Sequence, residues 1–169
     1  MTGGATFSLD RAYRYRLWRD WDASKGRCAF IGVNPSTADE TDSDHTIAKE
    51  IGFAQRWGFG GIVKVNLFGL VSTDVTGLLR ATDPVGPDND DHLSEVISSS
   101  KRIVWCWGKH PPRVKSLVAK RLFVLSLTEW WVHIQRGKEV GTFGRNGDGS
   151  PRHPLMLPYS TPFVINPTC

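Results

Sequence analysis

Three short runs of almost unbroken apolar residues constrain this chain more than anything else in it. They are "CAFIGV" (28–33), "GIVKVNLF" (61–68) and "RIVWCWG" (102–108). A strand with one wet face alternates apolar and polar residues. A strand covered on both faces does not, so these runs predict buried strands with helices packed above and below. The segments between them have helical character. In "DHTIAKEIGFAQRWGF", Ile47, Ile51, Phe53, Ala54 and Trp57 fall on one helical face, Asp44 is placed to cap the start, and Gly58 marks the stop. "TDVTGLLRAT" reads as a short helical turn opening near Asp74, and "DDHLSEVISSS" as a helix with Leu93, Val96 and Ile97 inward. "PPRVKSLVAKRL" opens with proline, which a first helical turn accommodates. "LFVLSL" reads as a strand or the end of that helix, and "WWVHIQR" (130–136) as a further strand.

Strand, helix, strand, helix, strand, helix predicts an α/β domain over residues 1–169. The expected architecture has three layers, α/β/α, around a mostly parallel central sheet of about four strands. In such sheets ligands bind beyond the carboxyl ends of the strands. That rule selects 34–39, 66–68 and 108–110, where polar residues break the apolar runs.

Composition agrees with a packed domain. Of 169 residues, 40% are hydrophobic and 22% charged, which suffices for a core. No apolar run approaches the ~20 residues of a membrane span, so the expectation is a cytoplasmic protein without membrane association. Cys28, Cys106 and Cys169 form no metal-type spacing, and the first two lie in apolar runs, so they read as buried hydrophobes. No metal and no cofactor are expected. A net charge of +4 is compatible with a polyanionic partner. "RAYRYRLWRDW" (11–21) interleaves arginines with aromatic residues, as a nucleic-acid contact does, and as a half-buried edge strand over 13–18 also does.

"IGVNPSTAD", "DSDHTI", "WGFGGIVKVNLFGL", "DPVGPDND", "WCWG" and "GSPRHPL" together resemble an uncharacterised family of bacterial and phage proteins, a domain of unknown function. More distantly, Gly32-Val33-Asn34-Pro35, Asn66 in "VNLF" and His153-Pro154 resemble motifs of the uracil-DNA glycosylase superfamily. That resemblance implies a glycosylase-like fold. It also implies hydrolysis of an N-glycosidic bond, with DNA or a nucleotide as partner and a base, normal or modified, flipped into the pocket. A non-catalytic nucleotide-binding module and an enzyme of free nucleotides are the alternatives. Two departures stand out: Ser36 follows Pro35, and Leu155 follows His153-Pro154.

On this reading Asn34 holds the attacking water through its carbonyl oxygen, and Pro35 fixes the turn that aims it. Asp39 is the preferred carboxylate of the Asp39, Asp42 and Asp44 cluster. Backbone amides at Ser36 and Thr37 form an anion-binding nest. Asn66 pairs with the base edge, and Phe68 either stacks beneath it or belongs to the core. His153 stabilises the leaving group, with Arg152 beside it favouring the neutral ring.

Overall fold

The computed structural model describes residues 1–36, 45–128 and 138–165. The strands are β1 (Thr2–Phe7), β2 (Arg14–Asp20), β3 (Arg27–Gly32), β4 (Gly61–Asn66), β5 (Arg102–Trp105), β6 (Glu139–Thr142) and β7 (Val164–Ile165). The helices are α1 (His45–Arg56), α2 (Asn89–Ser99) and α3 (Pro112–Ser126). Among the described residues, these seven strands join one sheet in the order β1-β2-β4-β3-β5-β6-β7. The β4–β3, β3–β5 and β5–β6 pairs are parallel. The β1–β2, β2–β4 and β6–β7 pairs are antiparallel.

The chain is therefore α/β, but the sheet is larger than the expected four strands and mixed rather than mostly parallel. The three apolar runs became β3, β4 and β5, which need a crossover helix between parallel neighbours. Strands β1, β6 and β7 carry no such run and leave no comparable mark in the sequence. β2 also differs from the edge strand expected over 13–18: β1 covers one side of it and β4 the other. Its Arg14 and Arg19 are buried. "LFVLSL" completes α3 rather than forming a strand. Residues 130–136 lie outside the described residues, as does Cys169. Among the described residues no helix is long and apolar enough to cross a membrane.

Strand alternation sorts the core into two clusters. Ala29, Ile31, Val63 and Val65 pack with Leu93, Val96 and Ile97 of α2 and Val114, Val118 and Leu125 of α3. Cys28, Phe30, Ile62, Val104 and Cys106 pack with Ile47, Phe53 and Ala54 of α1. Trp57 stacks on Phe143 on that second face, and Phe53 packs against it with a tilted ring. Helix α1 stops as its sequence predicts: Gly58 has φ +82° and its N–H bonds the carbonyl of Gln55 at 3.1 Å. The Asp74 carboxylate caps the short 3-10 turn Val75–Leu79 by accepting from the Thr76 N–H.

Candidate functional site

Register brings the strand ends level. Gly32 pairs with Asn66 across β3 and β4, and Ile31 with Trp105 across β3 and β5. On β4, Lys64 and Asn66 have the parity of Ile62 and face the α1 side. Beyond these ends opens a cavity of about 250 Å³ whose lining includes Asn34, Ser36, Asn66, Trp107, His110 and His153. Arg14, Gly32 and Lys64 also reach it. Asn34, Asn66 and His153, far apart in sequence, thus share one small space.

Asn34 is held by its amide nitrogen. Nδ2 donates to the carbonyl of Pro35 at 2.9 Å and to that of Ser72 at 2.8 Å. Both partners are carbonyl oxygens, so only the nitrogen can face them, and Oδ1 is left as the acceptor turned away. Asn66 is 2% exposed, yet its carboxamide makes no hydrogen bond to any described residue. Its backbone is tied from behind: Asn89 Nδ2 donates to the carbonyls of Asn66 and Leu67 at 3.1 and 3.3 Å, and Arg121 Nε to that of Leu67 at 2.9 Å. Asn66 lines the cavity, so its carboxamide is open to a ligand there.

His153 arrives on the loop after β6. Gly108, at φ +78°, donates its N–H to the carbonyl of Pro151 at 2.9 Å. A side chain at Gly108 would place its Cβ 3.0 Å from His153 Cβ, so the glycine lets the histidine approach. The Leu155 N–H donates to His153 Nδ1 at 3.3 Å, which leaves Nε2 as the ring's donor.

His110 was within the range chosen by the strand-end rule but had no assigned role. Its Nε2 donates to the Trp107 carbonyl at 2.8 Å. Burial pushes its pKa below the ordinary imidazole value, against the opposing effects of the Trp107 carbonyl and Asp148. The neutral ring then carries its lone pair on Nδ1.

The sequence reading missed a buried ion pair. Lys64 Nζ bonds the Glu50 carboxylate of α1 and lies 3.9 Å from Cys106 Sγ. Glu50 is fully buried and Lys64 is 7% exposed. Burial pushes the Cys106 thiol up to about 12, with Lys64 working against it. The signal was present: a lysine interrupts the apolar run of β4, and Glu50 sits three residues after Ile47 and four before Ala54, on the buried face of α1.

Other expected site residues fall elsewhere. Phe68 is 1% exposed and belongs to the core with α2 and α3, so it offers no stacking face. A position two residues beyond Asn66 had placed it near the site, but packing against the helices claims the ring. Arg152 does not line the cavity; its backbone N–H instead bonds the carbonyl of Gly144. Pro35 is buried and contributes its carbonyl to Asn34 rather than a surface to the cavity. Thr37, Asp39, Asp42 and Asp44 lie outside the described residues.

A family model described as a protein of unknown function, DUF1643, matches residues 14–155. The chain belongs to DUF1643. The match begins at Arg14 and runs two residues past His153, so the described lining of the cavity falls within the DUF1643 region. Strands β1 and β7 lie outside it. No curated protein and no solved structure matches this DUF1643 chain significantly.

Proposed function

We propose that the chain is a DNA glycosylase-like hydrolase that cleaves the N-glycosidic bond of a normal or modified base flipped into the cavity. The observation that carries this reading is the meeting of Asn34, Asn66 and His153 in one cavity beyond the strand ends. The finer fold assignment, a three-layer uracil-DNA glycosylase-like architecture, belongs to the same proposal. It is supported by helix packing on both sheet faces.

The chemistry follows from the orientation of each group. The Asn34 Oδ1 accepts from a water and holds it against the sugar. The C1′–N bond breaks as that water's oxygen bonds to C1′. His110 Nδ1 takes the proton released by the water, a role for which a neutral imidazole is suited at neutral pH. Asn66 meets the base edge, and the His153 Nε2–H faces the charge on the leaving base. None of these steps calls on a cofactor. At about 250 Å³ the cavity falls below the 300–1,000 Å³ usual for small-ligand sites. That size favours a single base, with its sugar at the mouth, over an entire free nucleotide.

The test is a mass-spectrometric screen for bases released from unmodified, damaged and phage-modified DNA. Wild-type protein releases a base, whereas Asn34→Ala retains binding and loses release. Binding of nucleotide with no release from any DNA refutes the hydrolase and leaves a binding module.

A further inference from the structure

Hydrolysis as described gives Lys64 no task, although it lines the cavity. Lys64 and Asn66 are alternate residues of β4 and point the same way. A Cβ built on Gly32 would lie 2.6 Å from Asn66 Oδ1 and 3.4 Å from Lys64 Nζ. The carboxamide and the ammonium therefore both border the space left by the absence of a side chain at Gly32.

The two groups carry different information. A carboxamide offers a donor and an acceptor, and rotation by half a turn exchanges them. With no hydrogen bond to a described residue to fix it, Asn66 matches an oxo group beside a ring N–H as well as an amino group beside a ring nitrogen. Lys64 has donors only. An exocyclic amino group next to it would set N–H against N–H, whereas an oxo oxygen would accept a charge-assisted bond. Glu50 supplies the opposite charge that lets an ammonium persist in this interior.

We propose that Lys64 is a specificity-determining residue that restricts the cavity to bases with an oxo group beside a ring N–H, excluding those with an exocyclic amino group at that position. The selectivity concerns binding; its catalytic consequence rests on the hydrolase reading. As the C1′–N bond breaks, its electron pair stays on the base and spreads onto the oxo oxygen, where the Lys64 ammonium holds the charge. The water's oxygen bonds to C1′, its proton passes to His110, and solvent later protonates the departed base. Lys64 keeps its proton throughout.

Matched bases test this in the full chain: uracil against cytosine, and hypoxanthine against adenine, by isothermal titration. A bond to a charged group separates the pairs by about tenfold or more. The expected result is tighter binding of uracil and hypoxanthine. In the double variant Lys64→Met with Glu50→Gln, which removes both charges, discrimination falls below about threefold. Equal affinities in the wild type, preference for the amino bases, no binding of either member, or undiminished discrimination in the double variant each overturns the proposal. Should that variant fail to fold, lysine-selective 15N spectra of wild-type protein decide: the Lys64 ammonium signal moves with uracil and not with cytosine, and a signal unmoved by uracil refutes the contact. Selective binding without release from uracil- or hypoxanthine-containing DNA sinks the hydrolase and leaves the selectivity. Release without selectivity does the reverse.

Discussion

Lys64→Met tests the energetics of the site floor directly. The substitution removes the ammonium of Lys64, a residue 7% exposed, and leaves the fully buried Glu50 carboxylate without it. Breaking a buried ion pair from one side costs about 3–5 kcal/mol, because the remaining charge stays desolvated. That is a large part of the ~5–15 kcal/mol that holds a typical domain together. For a chain of this size it lowers the melting temperature by roughly 6–20 °C. Adding Glu50→Gln removes the stranded charge, and the double variant returns to within about 2 kcal/mol of wild type, since neutral replacements of buried pairs are often tolerated. The assay is urea denaturation of the wild type, both single variants and the double variant, with the slopes compared to confirm equivalent unfolding. A double-mutant cycle then isolates the pair. The reasoning fails if Lys64→Met costs less than about 1 kcal/mol or if the cycle shows no coupling, because both results require a solvated pair.

Two further outcomes follow from the geometry. Gly32→Ala puts a methyl group 2.6 Å from Asn66 Oδ1; overpacking costs about 1–3 kcal/mol and displaces the carboxamide, so denaturation midpoints fall and base affinity drops more than about tenfold, and unchanged affinity would place the ligand elsewhere. Burial lowers the pKa of both His92 and His110, so the unfolded chain takes up protons near the free-histidine value of about 6.5 while the folded chain does not. Stability is therefore full above that value and declines as pH falls through it; urea midpoints at several pH values should show a shallower decline in His92→Gln/His110→Gln, and an unchanged slope refutes the assignment.

Much of the frame was legible because burial on two faces leaves a plain mark. Strands β3, β4 and β5 announce themselves as apolar runs, and the strand-end rule then locates Asn34, Asn66 and His110 without any knowledge of side-chain packing. Strands β1, β6 and β7 leave no such mark. Their places depend on pairing with distant partners, as Gly141 does with Ile165. Phe68 shows the limit of proximity in sequence: two residues beyond Asn66, it turns into the opposite core. The Glu50–Lys64 pair shows a different limit. Each residue is anomalous in its own apolar pattern, but only the packing of α1 on β4 shows that the two anomalies answer each other.

The hold on Asn34 bears on how freely the surrounding sequence can drift. Among the described residues its amide reads two backbone carbonyls, those of Pro35 and Ser72, and no side chain. Every amino acid carries that carbonyl. Substitution at position 72 is therefore silent to Asn34 provided the chain keeps its path, while an insertion or deletion between β4 and the turn that Asp74 caps is not. The aim of the Asn34 amide is inherited through the length of that loop rather than through its letters.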